Sequence, residues 1–365
     1  MVCSRILGPT FRRHARRRSS IGLAVASCVA ALLASCQAVP PTRPTVVLLP
    51  DTSAQGQAWN WTAACPFGST AATACHRAGP LLGSAQLAGD EWNLGGGRST
   101  AGSVRMSVNS AGALALRGDL PSAPPCTQST CVAPSAYTWV RGYPSVLYGI
   151  DQCNAHTSPP VSRPLRLPLH LSSMKSDLVG TTSYSSETSH ITYDIAYDMW
   201  LNNSATKKPC RTDGTVEVMV WTDYDQKALL PPSLIVGTAD VPFAVDGVAH
   251  PGTRAFTIYA SNIDQAGHTV PWGGTLWFVL DQADIVSRGT VSVDLSAVLS
   301  AAGSLLQNNY RWSTFARNYW LDTIPFGMEY GPQDGSLTGA GSSRFSLNLS
   351  SYCLGTRVTV AVGAC

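Results

Sequence analysis

Val216-Glu217-Val218-Met219-Val220-Trp221 alternates without a break. In an extended chain Val216, Val218 and Val220 point one way, and Glu217, Met219 and Trp221 point the other. β-Branched valines favour a pleated strand and suit a buried face. Asp213-Gly214 just upstream is a turn signal, which starts the strand near Thr215. The opposite face carries a carboxylate beside a thioether and an indole. A glutamate on a strand is ordinarily a solvated surface residue. Scarcity argues against that here: the whole chain has four glutamates, Glu91, Glu187, Glu217 and Glu329.

Two further stretches bear on the same face. In Pro325-Phe326-Gly327-Met328-Glu329-Tyr330-Gly331, a strand would put Glu329 and the two glycines on one side and Phe326, Met328 and Tyr330 on the other. Glycines beside a carboxylate are expected to leave room for a ligand to approach. In Tyr193-Asp194-Ile195-Ala196-Tyr197-Asp198-Met199-Trp200-Leu201, Asp194, Ala196, Asp198 and Trp200 share a face, while Ile195, Tyr197, Met199 and Leu201 read as core. Two acidic strands and a Glu-Gly strand are thus expected to line one cleft.

With these pieces in hand the chain resembles glycoside hydrolase family 12, the β-jelly-roll endoglucanases and xyloglucanases. Tyr143-Pro144-Ser145-Val146, Tyr197-Asp198-Met199-Trp200-Leu201, Glu217-Val218-Met219-Val220-Trp221 and Gly327-Met328-Glu329 carry the resemblance, in order, over roughly residues 85–353. Glu-x-Met-x-Trp after a Tyr-Asp-x-Trp-Leu strand is a fairly specific signal; Gly-x-Glu alone is weak. The resemblance implies that Glu217 falls on the nucleophile, Glu329 on the acid/base and Asp198 on an aspartate beside the nucleophile. It implies a concanavalin-like sandwich of two antiparallel sheets with one packed helix, and exported, retaining cleavage of β-1,4-glucans such as cellulose, mixed-linkage β-glucan or xyloglucan. Cleaving a glycosidic bond with retention needs two carboxyl groups only ~5–5.5 Å apart, one attacking and one exchanging a proton with the leaving oxygen. Sugar rings stack on aromatic faces. By alternation Trp200 and Trp221 accompany the carboxylates, Met219 lies beside Glu217, and Trp92 resembles the family's first aromatic cleft strand. One departure stands out: the family usually has proline after the second glutamate, and here Tyr330 and then Gly331 follow. If these spoil the leaving-group side, the alternative is a non-catalytic glycan-binding protein on the same scaffold. A family 11 xylanase fits less well, because its strands are richer in Tyr and Thr.

The N-terminus reads as an export signal. Arg12, Arg13, Arg16, Arg17 and Arg18 precede an apolar run from Ile21 to Leu33, shorter than the ~17 residues a membrane span needs. Leu33-Ala34-Ser35-Cys36 resembles a bacterial lipobox, which would make Cys36 the lipidated first residue of a protein anchored to the outer face of the cell membrane. Ordinary cleavage, with Cys36 a spectator, is the other reading. Without residues 1–36 the chain keeps 19 basic and 22 acidic residues, and no basic helix or aromatic-arginine patch asks for nucleic acid. Eight of the eleven cysteines also remain, an even number that reads as disulfides in an oxidising compartment. Eight cysteines allow 105 connectivities; proximity suggests the pairs 65–75, 126–131 and 353–365, which leaves 153–210. No Cys-x-x-Cys and no ligand-spaced histidines are present, so no metal is expected, and two carboxylates need no cofactor.

Residues 37–58 read as a Pro-rich linker and 59–365 as one catalytic domain, expected to be a monomer. Strands are expected at Ser103–Val108, Ala113–Arg117, Tyr137–Val140, Leu165–Leu171, His190–Leu201, Thr215–Trp221, Arg254–Tyr259, Thr275–Leu280, Thr290–Val293, Tyr319–Ile324 and Arg344–Leu349. Segments 222–253 and 261–274 read as long irregular loops. One helix stands out, with Leu295, Val298, Leu299, Ala302 and Leu306 at helical spacing and Asp294 as its N-cap.

Overall fold

The computed structural model describes residues 46–61, 76–82, 85–90, 103–120, 140, 142–149, 165–174, 178–205, 214–246, 248–264, 274–312, 315–332 and 343–356. The export signal with Cys36, the first part of the linker, Trp92 and every cysteine except Cys353 lie outside these residues. In chain order the strands are β1 (Val46–Leu49), β2 (Ala58–Trp61), β3 (His76–Leu82), β4 (Ala85–Asp90), β5 (Ser103–Val108), β6 (Leu114–Leu120), β7 (Ser145–Gly149), β8 (Leu169–His170), β9 (Leu178–Ser189), β10 (Ile191–Asn202), β11 (Thr215–Tyr224), β12 (Ile235–Val245), β13 (Val248–Ser261), β14 (Gly274–Leu280), β15 (Arg288–Asp294), β16 (Trp320–Pro332) and β17 (Ser343–Thr356).

Pairing arranges them in two layers. The inner layer runs β3-β4-β7-β16-β10-β11-β14-β13-β12. The outer layer runs β2-β5-β6-β17-β9-β15, with β1 also on β17. The end of β12 pairs with β15 as well as β13 and so joins the layers into one hydrogen-bonded network. This is the expected sandwich with one exception: β11 runs parallel to β14. A parallel neighbour needs a long return connection, and the β12–β13 hairpin lies within that return.

Side chains from both layers meet in the middle. Tyr197 of β10 packs edge-on against Phe326 of β16, and both reach Tyr352 of β17; Tyr184 of β9 packs on Phe326. Buried phenols need partners, and they find them across the gap. Tyr197 bonds Thr182 of β9 at 2.6 Å, and Tyr352 donates to the Ile324 carbonyl of β16 at 2.6 Å. Gly180 makes this closeness possible, since a Cβ there would stand 2.7 Å from the Tyr197 ring.

The expected helix is α1 (Leu295–Tyr310). Asp294 Oδ1 caps it by accepting from the Ala297 amide at 2.9 Å, and Leu295, Val298, Leu299, Ala302 and Leu306 are buried. Asn309 donates to the Val236 carbonyl at 3.0 Å, docking the helix on β12.

Four expectations change. Val46–Leu49 is not linker but a strand on β17, with Val46, Leu48 and Leu49 buried; this short apolar run repays its ordering by covering the core. Leu165–Leu171 is mostly irregular, with strand only at Leu169–His170 followed by a 3-10 turn, because Pro168 cannot donate to a ladder. Segment 222–253 is not an irregular loop, for it holds β12 and the start of β13. Register shifts between Ile235 and Gly237 and between Pro242 and Ala244 break the alternation that would have revealed β12. Tyr319–Ile324 and the Glu329 stretch are one strand, β16.

Gly180→Ala should destabilise the protein by about 1–3 kcal/mol through overpacking against Tyr197. Urea unfolding measures this, and an unchanged midpoint would mean the two layers have slack at this point.

Candidate active site

β10 is flanked by β11 on one side and β16 on the other. Its inward residues Ile195, Tyr197, Met199 and Leu201 sit in the main core, as do Val216, Val218 and Val220 of β11 and Phe326, Met328 and Tyr330 of β16. By alternation the other face of the three strands carries Asp194, Ala196, Asp198 and Trp200, then Glu217 and Met219, then Gly327 and Glu329. Trp200 is the register partner of Glu217, and Asp194 is the partner of Glu329. Two glutamates 112 positions apart in the chain therefore flank one strand on one face.

Each carboxylate has its own setting. Glu217 Oε2 accepts from Thr275 Oγ1 of β14 at 2.8 Å. Asp198 Oδ2 accepts from the Trp200 indole N–H at 2.9 Å. Asp198 and the two glutamates are buried to within a few per cent, and Asp194 is fully enclosed. Neither Asp194 oxygen meets a hydroxyl, amide or guanidinium donor. Burial raises its carboxyl well above the ordinary aspartate value. The adjacent Glu329, acting by charge and hydrogen bonding, adds to this, followed by Asp198 and Glu217. Tyr143 stands over the group, donating to the Ala196 carbonyl at 2.8 Å. Its phenol is pushed up mainly by burial, then by Asp198 and Asp194.

The apolar members of the expected site fare differently. Trp200 keeps 9% of its surface exposed, whereas Met219 keeps 2% and Trp221 none. Met219 and Trp221 belong to a second apolar cluster with Ala196, Tyr224, Ala228, Leu230, Tyr259 and Trp277. Ala228 and Leu230, from the segment after β11, bury that end of the face, so neither Met219 nor Trp221 presents an open surface to a sugar. Gly327 also corrects an expectation. A Cβ there would lie 2.4 Å from the Pro144 carbonyl, so this glycine admits neighbouring backbone and not a ligand.

The departure at Tyr330 falls on the far side of the sheet. Its ring is fully buried in the core, 4.6 Å from Phe345, and its amide donates to the Gly142 carbonyl at 3.2 Å. The residue after Glu329 thus points away from the carboxylates.

The family model described as "Glycosyl hydrolase family 12" matches residues 85–264. Over these residues the chain is similar to glycosyl hydrolase family 12. The family 12 match takes in Asp198, Trp200, Glu217, Met219 and Trp221 and ends before Glu329, which β16 brings to the same face. Solved structures share the fold. A "Family 12 xyloglucanase from Bacillus licheniformis in complex with ligand" is 15% identical, with 82% of this chain and 100% of that chain covered and a TM-score of 0.53. A metagenome-derived family 12 endoglucanase is 16% identical, with 83% and 100% covered and a TM-score of 0.50. No curated protein matches the sequence.

Three residues of the site escape motif reading. Thr275 reaches Glu217 only through the parallel β11–β14 pairing. Tyr143 lies in a quoted motif, but its contact with Ala196 crosses 53 positions. Asp194 was visible on the right face, yet only the β10–β16 register sets it against Glu329. Among the described residues no group of His, Cys, Asp and Glu could hold a metal ion. Cys353 is disulfide-bonded; the other cysteines of the expected pairs lie outside the described residues.

Thr275→Val should lower kcat/KM by about tenfold or more, since a hydrogen bond to a charged group contributes ~1.5–3 kcal/mol. The same bond supports the buried Glu217 in the folded state, so the melting temperature should fall as well, and steady-state kinetics beside a melting curve checks both. Asp194 also gives the fold a pH dependence. With its folded value raised above the unfolded ~3.9, the folded state holds a proton that the unfolded state releases. The associated stability is present below about pH 4 and is lost as pH rises toward the folded value. Asp194→Asn removes this loss, so its urea midpoint should improve on wild type as pH goes from 4 to 7.

Proposed function

We propose that this protein is an exported, retaining endo-β-1,4-glucanase acting on cellulose, mixed-linkage β-glucan or xyloglucan. The observation that carries this reading is the placing of Glu217 and Glu329 on the strands either side of β10, with both side chains on the face away from the core. The family 12 match over residues 85–264 supports a glycosidase.

In this reading Glu217 attacks the anomeric carbon while Glu329 gives its proton to the leaving oxygen; the glycosidic C–O bond breaks and a glycosyl ester forms on Glu217. Glu329, now a carboxylate, takes a proton from water as the water oxygen bonds the same carbon and releases Glu217. Thr275 steadies the ionised Glu217, and Asp198, fixed by Trp200, lies two residues along β10 from the register partner of Glu217. Among the described aromatics of this face Trp200 is the most exposed and so the best placed for a sugar ring. The binding-protein alternative rested on Tyr330 and Gly331 together; of these the Tyr330 side chain lies in the core, away from the carboxylates. Export is supported by the basic and apolar N-terminal signal and by the even number of cysteines after it. The lipobox-like Leu33-Ala34-Ser35-Cys36 supports attachment to the outer face of the membrane.

Purified wild type and Glu217→Gln are incubated with barley β-glucan, carboxymethylcellulose, xyloglucan and xylan, and new reducing ends are counted. Activity on a β-1,4-glucan should fall by ~10⁴-fold or more in the variant, and proton NMR should show the β-anomer formed first. No hydrolysis of any glucan by the wild type, with binding retained on an affinity gel, would overturn the reading in favour of a binding protein.

A further inference from the structure

Among the described carboxyls of this face Asp194 alone is fully enclosed, and the mechanism above gives it no part. Its register partner on β16 is Glu329 and on β11 is Tyr224. The charged groups that act on it are Glu329 first, then Asp198 on its own strand and Glu217 on β11; Tyr143 stands above the same group. Tyr193 turns to the other face, where it donates to Asp223. Neither Asp194 oxygen is met by another donor, and two adjacent carboxyls in a dry setting do not both ionise.

We propose that Asp194 is a positioning residue that stays protonated at neutral pH and donates its carboxyl O–H to Glu329. This rests on reading Glu329 as the acid/base. When Glu329 has given its proton to the leaving oxygen, it is a carboxylate in a buried place. The Asp194 O–H bonds that carboxylate and holds it toward the reacting carbon until water returns a proton to it. No proton leaves Asp194 at either step, so the balance of the reaction is unchanged. Glu329 keeps 7% of its surface exposed and Asp194 none, so Glu329 is the one of the two that water and a leaving group can reach.

Two measurements test this. Wild-type protein labelled with ¹³C at aspartate carboxyls should show one carboxyl that remains in the protonated form at pH 7 and disappears in Asp194→Asn. This signal does not depend on what the enzyme cleaves, so it survives failure of the glucanase reading. On whichever glucan is cleaved, Asp194→Asn keeps a neutral donor and should retain kcat/KM and the alkaline limb of the pH profile. Asp194→Ala loses the donor. Its kcat should fall by about tenfold or more, and its alkaline limb should move to higher pH, because the Glu329 anion has lost its support. An aspartate spectrum with Asp194 ionised at pH 7 would overturn the proposal. So would an alkaline limb that moves down in Asp194→Asn, the sign of a lost negative charge, or an Asp194→Ala profile identical to wild type. If Asp194→Ala does not fold, the NMR signal and the asparagine variant still decide.

Discussion

β10 cannot slip by one residue without exchanging an apolar face for an acidic one. Ile195, Tyr197, Met199 and Leu201 must all enter the core together, and this places Asp194, Asp198 and Trp200 together on the opposite side. The neighbouring strands are held to the same rule. Val216, Val218 and Val220 fix which way Glu217 points, and Phe326, Met328 and Tyr330 fix Glu329. The carboxylate-bearing face is in this sense the reverse side of the core.

Keeping four carboxylates in so enclosed a place is costly, since burial disfavours the charged form. The structure meets that cost with individual devices and with a firm support. Thr275 serves Glu217, the Trp200 indole serves Asp198, and Asp194 is driven toward its neutral form. Beneath them Tyr197, Phe326, Tyr184 and Tyr352 interlock between the layers, their hydroxyl groups bonded across the gap. A well-packed support of this kind holds side chains in fixed rotamers, which proton transfer between defined atoms requires.

The residues that depart from expectation are explained by what covers them. A tyrosine after the second glutamate looks disruptive in a motif, but a period of two sends its ring into the core beside Phe345. Trp221 and Met219 look like sugar platforms by alternation, yet Ala228, Leu230, Tyr224 and Val140 close over them. Gly327 looks like an opening, and the Pro144–Ser145 backbone fills it.

The sequence by itself determined the strand character of β10, β11 and β16, which face of each is apolar, the helix after Asp294 and the pair of glutamates worth attention. All of these follow from short-range periodicity and capping, which a chain carries in its own order. Only the tertiary structure decided that Thr275 supports Glu217 through a parallel pairing, that Asp194 stands against Glu329, and that one end of the face is roofed by apolar side chains. It alone recruited Val46–Leu49 and recovered β12 from a stretch whose bulges hid its alternation. Registers, parallel neighbours and coverage are relations between segments far apart in the chain, fixed by simultaneous packing of both faces, and no local pattern encodes them.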